Sequence, residues 1–288
     1  MSEFPPTYEP ENAWQRFWNR GGWWRALLFV VVYLALYEGL SFLISTVFAS
    51  QIDASDLFGS ESTVFFGVAL PILVMGLLVL VFVVTQRWKR EIFGRQPVTG
   101  AWWMWIAVVL LIIPIVLRLF ATDWGAYTPT VVLTVLFMGL CVSFAEELLT
   151  RGVAVNMLRR HGYGERAVFV LSSAIFALLH SVNALSGAEP LVVAITVVYT
   201  FGFGAMMYLT MRVTGSIIPA ILLHAATDPT TFLATGGIDA HGSTAGDSGL
   251  LTVAGLFNGV YLVFGLIAII FVSGRVFARR GAKGAAAS

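Results

Sequence analysis

Two adjacent glutamates, Glu146 and Glu147, stand with Arg151 inside an apolar stretch that runs from Val131 to Leu158. A carboxylate at bilayer depth costs several kcal/mol, so a pair of them demands a partner, a water-filled cavity or a reaction. Other polar residues interrupt later apolar runs: His180, with Asn183 close behind, and then His224 and Asp228. Glu147 and Arg151 are spaced i, i+4, which puts them on one helix face as an ion pair. Glu146 is turned about 100° away and is left for another task. His224 and Asp228 have the same i, i+4 spacing, which lets the carboxylate orient or charge the imidazole. Phe176, one turn before His180, is placed to pack on that ring and restrict its rotamer. A carboxylate and an imidazole in one hydrated pocket can deprotonate a water, and a second histidine held by an acid can donate to a developing oxyanion. That chemistry is hydrolysis of an acyl bond without a covalent intermediate. Ser143, Ser172, Ser173 and Cys141 lie in no nucleophile motif. Zinc is the other option for two glutamates and two histidines. HExxH is absent and Arg151 disfavours a cation, so no cofactor is expected and zinc is the less favoured alternative. Singly, each residue has a structural explanation, as an ion pair or a hydrogen bond between helices. The set carries the inference.

The chain that must position them has 288 residues, 58% hydrophobic and only 11% charged, with a mean hydropathy of +0.85. These values exclude a soluble domain and identify a polytopic, all-α membrane protein. A net charge of +1 gives no reason to expect a nucleic-acid partner. The single cysteine, Cys141, cannot form an intrachain disulfide. A bilayer core needs about 20 apolar residues per helix, and eight runs qualify. They extend from Trp24 to Phe48, Thr63 to Gln86, Trp102 to Phe120, Val131 to Leu158, Ala167 to Val182, Leu191 to Met211, Ser216 to Ala234, and Leu250 to Val272. The first is too long for a signal-peptide core and reads as a retained helix. The expected organisation is an N-terminal segment 1–22, an eight-helix domain 23–274 and a basic tail 275–288.

Arginine and lysine accumulate in cytoplasmic loops. They occur at Arg16, Arg20 and Arg25, at Arg87, Lys89, Arg90 and Arg95, at Arg159, Arg160 and Arg166, at Arg212, and at Arg275, Arg279, Arg280 and Lys283. The alternate loops carry Asp53, Asp56, Glu61, Asp123, Glu189, Asp239 and Asp247. Both termini are therefore expected in the cytoplasm. Trp23, Trp24, Trp88, Trp102 and Trp103 are expected at interfaces. Glu38 and Arg118 are expected to be structural and to pair near the outer face, and His161 and His241 to be solvated. At a rise of about 1.5 Å per residue, Glu146 and His180 lie level, about 20 Å from the basic face, with His224 and Asp228 in the same layer. Pro219 and Pro229 are expected to kink the seventh helix on both sides of His224 and to open a hydrated cavity between helices four, five and seven. No internal repeat of the transporter kind is evident, which leaves a transporter or a non-enzymatic scaffold as the rival to an enzyme.

The motifs FAEELLTRG (Glu146, Glu147, Arg151), FALLH (Phe176, His180) and HAATD (His224, Asp228) resemble, in order, spacing and placement, those of the CAAX protease and bacteriocin-processing family, which includes the type II CAAX prenyl endopeptidases. IFGRQP after the second helix and GSIIPAILLH around Pro219 are also similar to bacterial members. The resemblance implies an intramembrane glutamate endopeptidase embedded in a bacterial plasma membrane. Its substrate would be a membrane-associated protein or peptide. By that resemblance Glu146 is the general base, His180 helps activate the water, His224 with Asp228 stabilises the oxyanion, and Glu147, Arg151 and Phe176 support the site.

Overall fold

The computed structural model describes residues 11–185, 187–235 and 248–276. Among the described residues the chain is helical and has no sheet, with only an isolated bridge between Gly164 and Arg275. Among the described residues, seven helices are long and apolar enough to cross a membrane. These are α1 (Trp23–Val47), α2 (Glu61–Thr85), α3 (Trp102–Ala121), α4 (Pro129–Arg160), α5 (Glu165–Ala184), α6 (Pro190–Thr214) and, last in the chain, α8 (Gly249–Phe271). Between the last two lies α7 (Ile218–Thr235). The eight expected runs thus resolve into seven apolar spans and one more polar helix.

Helix α7 falls short in apolarity because His224, Asp228 and four threonines interrupt it. It traverses the bundle nonetheless. Just before its start, the Gly215 carbonyl accepts the Gln96 N–H from the α2–α3 connection at 2.8 Å. Near its end, the Leu233 carbonyl accepts the Tyr127 hydroxyl from the α3–α4 connection at 2.9 Å. Its threonines are satisfied locally: Thr227, Thr230, Thr231 and Thr235 each donate to a carbonyl four residues back at 2.8 Å, the back-bonding that lets hydroxyls enter a buried helix. Pro219 lies in the first turn of α7, where a missing N–H leaves no hydrogen bond broken. Only Pro229 is inside the helix, so the expectation of a proline kink on both sides of His224 is corrected to one side.

Helices α4 and α7 form the most extensive pair, α6 packs on α5 and α8, and α3 covers α7 and α8. Burial grades outward: 56% of the apolar window of α6 is buried, against 17% for α1 and 22% for α8. The outer helices turn large apolar side chains such as Phe42, Val81 and Leu256 outward, as a lipid-facing surface requires. Trp23, Trp24 and Trp102 are exposed as interface anchors would be, but Trp88 is buried. Its indole N–H donates to Asn19 Oδ1 at 2.8 Å and its ring packs edge-on against Phe82, so it is a core residue.

Close approach of α6 and α8 depends on Gly202. A Cβ there would lie 2.5 Å from the Leu262 nitrogen and 2.7 Å from its Cα, and backbone atoms cannot turn aside. Gly202→Ala is therefore expected to destabilise the fold by about 1–3 kcal/mol, read as a lower thermal unfolding midpoint in detergent. An unchanged midpoint would show that the helices part freely.

The basic loops gather at one end. Arg212 donates to the carbonyls of Val98 (3.2 Å), Thr99 (3.0 Å) and Ser273 (3.4 Å), and the Glu165 N–H donates to the Gly274 carbonyl at 2.9 Å. The buried Glu165 carboxylate accepts two bonds from Arg159, each 2.8 Å, one from Arg212 at 2.9 Å and one from the Tyr208 hydroxyl. The Gly22 N–H, donating to the Met157 carbonyl at 2.9 Å, brings the N-terminal segment to the same end. His161 sits there too, its Nδ1 3.4 Å from the Arg20 carbonyl. Asp239, His241, Asp247, Arg279, Arg280 and Lys283 lie outside the described residues.

Candidate active site

Glu146 and Glu147 end the regular part of α4. A wider, π-helical turn, Leu148–Ala154, follows them and carries Arg151; such turns recur at functional sites. Arg151 Nη1 lies 3.2 Å from Glu147 Oε1, both side chains fully buried. The guanidinium also donates to Thr150 Oγ1 and to the Gly204 carbonyl, each at 2.6 Å, and its carbon lies 4.4 Å from the Phe176 ring centre. Glu147 has a second partner that its sequence spacing did not reveal: the same Oε1 lies 3.1 Å from His224 Nδ1.

The other nitrogen of His224 faces two more carboxylates. Nε2 is 3.3 Å from Asp228 Oδ2 and 3.9 Å from Glu146 Oε2. Ionised carboxylates only accept, so a ring held between Glu147 and Asp228 satisfies both as a doubly protonated imidazolium. Access differs sharply across the cluster. The side chains of Glu146 and Asp228 are each 17% exposed, whereas that of Glu147 is fully buried and that of His224 nearly so. Glu146 is thus the accessible member of the glutamate pair, and among the described residues its carboxylate accepts no hydrogen bond.

His180 stands where α5 tightens into a 3₁₀ turn, His180–Ala184. Its Nδ1 is 3.2 Å from the Phe176 carbonyl. A carbonyl can only accept, so Nδ1 carries the proton of this bond and Nε2 is left for another partner. Glu146 is within electrostatic reach of this ring as well as of His224. Phe176 forms the shared wall, its ring centre 5.3 Å from that of His180 and 5.8 Å from that of His224. Glu146, His180, His224 and Asp228 therefore come together with Glu147, Arg151 and Phe176 around one site on α4, α5 and α7.

Helix α6, which supplied no motif, closes the site. Phe203 packs edge-on against His224 at 5.0 Å. Gly204 admits the guanidinium, since a Cβ there would meet Arg151 Nη2 at 3.1 Å and Phe176 at 3.2 Å. The short phrase FGFG around them was the available signal. From α1, the buried Tyr33 comes within electrostatic reach of Glu146. Arg118 also departs from expectation. It is buried, makes no ion pair with Glu38, and stands within electrostatic reach of Tyr261 and Asp228, so its charge acts on the site's side of α3.

Among the described residues, no group of three or more His, Cys, Asp or Glu side chains is arranged to hold a metal ion. His224 illustrates why, since both of its nitrogens already face carboxylates and the Arg151 cation stands behind one of them.

Fold and site together define a polytopic membrane protein with a buried carboxylate–imidazole cluster. Residues 128–230, which include all seven side chains, match the family described as type II CAAX prenyl endopeptidase Rce1-like. No curated protein matches the chain.

Proposed function

We propose that the protein is an intramembrane endopeptidase that hydrolyses a peptide bond of a membrane-associated protein or peptide with a water activated by Glu146 and His180. The observation that carries this reading is the accessible, unbonded Glu146 carboxylate set 3.9 Å from an imidazole held on both sides. The match to the prenyl endopeptidase family over residues 128–230 supports it. Glu146, with the His180 ring within electrostatic reach, takes a proton from water as the oxygen bonds to the scissile carbonyl carbon. The carbonyl oxygen becomes an oxyanion, and the adjacent His224 cation offsets its charge. Asp228 serves His224 and not the oxyanion, because a carboxylate would repel the developing charge. As the carbon–nitrogen bond breaks, the proton held by Glu146 passes to the leaving amine. Glu147 and Arg151 fix the position of His224 from behind. The basic end of the bundle faces the cytoplasm, by the distribution of Arg and Lys.

The test is to incubate purified protein in nanodiscs with membrane peptides and sequence new termini by mass spectrometry. Cleavage is expected with the native chain, unaffected by a metal chelator, and reduced about a hundredfold or more in His180→Ala. Loss of cleavage on chelation would favour zinc chemistry. Equal cleavage by His180→Ala would refute the assignment, and no cleavage by the native chain on any membrane peptide would favour a scaffold or transporter.

A further inference from the structure

A cavity of about 220 Å³ lies at the basic end, between α4 and the α2–α3 connection. Water takes about 30 Å³ per molecule in the liquid, so the space suits something larger. Arg95, Arg151, Asn156 and Arg159 line it, and two of them bring buried donors with no partner. Arg151 Nε and Asn156 Nδ2 have no hydrogen-bond acceptor, although the two residues are only 2% and 9% exposed. Leaving such a donor unmet is costly, because it has given up its water without gaining an acceptor.

The charge around the cavity is positive. Among the described residues its one lining carboxylate, Glu91, is already held by Arg160 at 2.6 Å through both oxygens. Arg159 and Arg212 share the single carboxylate of Glu165. Arg95 is exposed and has no ion pair among the described residues. Water would satisfy the two donors and leave this charge standing. An anion with several acceptor oxygens answers both, and donors on two separate chain segments suit a group with more than two oxygens.

We propose that this cavity is a binding site for a phosphate group, supplied by free phosphate or by an anionic lipid headgroup. Headgroups of that kind lie at the level of the basic loops. The site is separate from the hydrolytic one and is read by binding, so it stands or falls independently of the endopeptidase assignment. Arg151 joins the two, because its Nη1 faces Glu147 while the same residue lines the cavity and keeps Nε without a partner.

The test uses the full chain in a maltoside detergent, which contains no phosphate. Inorganic phosphate and, separately, phosphatidylglycerol are titrated while the thermal unfolding midpoint is followed, with chloride at matched ionic strength as the control. A saturable rise is expected. A rise with inorganic phosphate identifies the free anion as sufficient, and a rise with the lipid alone identifies a headgroup. Arg95→Gln, altered at an exposed side chain, is expected to raise the half-saturating concentration about tenfold, as loss of a hydrogen bond to a charged group implies. Asn156→Asp, which places a carboxylate in the cavity, is expected to abolish the response. No saturable rise beyond chloride in either arm, or an unchanged half-saturation in Arg95→Gln, overturns the proposal.

Discussion

Glu146→Gln is expected to lower peptide hydrolysis by about 10²- to 10⁴-fold, the usual contribution of a general base, while the unfolding midpoint stays near that of the native chain. Both halves follow from the same geometry. The carboxylate is partly exposed and accepts no hydrogen bond among the described residues, with His224 Nε2 3.9 Å away. Glutamine fills the same volume and breaks no bond, but it cannot take a proton from water. Glu147→Gln is different in kind, because that carboxylate is buried between Arg151 and His224 and its neutralisation leaves two charged groups without their anion. The informative comparison is therefore turnover against stability in the two variants. Full activity in Glu146→Gln would sink the assignment. A large fall in its midpoint would show that Glu146 is structural.

The second large effect is on the fold. Arg151→Met is expected to destabilise the protein by about 3–5 kcal/mol, the cost of stripping one partner from a buried ion pair. It removes the neutralising charge on Glu147 at 3.2 Å, the donor to the Gly204 carbonyl at 2.6 Å and the cation over Phe176. Arg151→Lys is expected to recover little, since an ammonium cannot reproduce the fork that serves Thr150 and Gly204 together. The signature of a buried pair is non-additivity: Glu147→Leu with Arg151→Met is expected to be more stable than Arg151→Met alone. Thermal unfolding of the three variants measures it. Additive losses would mean that the two side chains act independently.

Much of this arrangement is legible in the residues. The i, i+4 spacings of Glu147 with Arg151 and of His224 with Asp228 fix neighbours on a single helix, and both pairs are in contact at 3.2 and 3.3 Å. Counting residues inward from the basic loops placed Glu146, His180 and His224 at one depth, because helical rise is constant. What spacing within one helix leaves open is rotation between helices. The bond from Glu147 to His224 is of that kind, as is the turning of Arg118 toward Asp228 and away from Glu38. Trp88 was misplaced for a related reason, since an indole beside basic residues reads as an interface anchor until Asn19 is found against its N–H. The eighth run shows the limit of hydropathy, for a helix walled by its neighbours can carry His224, Asp228 and four threonines across the bundle. Gly204 and Phe203 carry no chemistry of their own, so only the packed structure reveals that they close the site.

The π-helical turn in α4 gives that helix a break in phase. A turn that takes in one residue more than an α-helical path rotates all that follows by roughly 100°. Glu146 and Glu147, before the turn, address His224, while Asn156 and Arg159, beyond it, address the cavity at the basic end. Arg151 sits within the break and belongs to both. One continuous rod of 32 residues thus presents two polar faces whose registers are set separately, so an insertion or deletion beyond Ala154 re-indexes one of them and leaves the other in place.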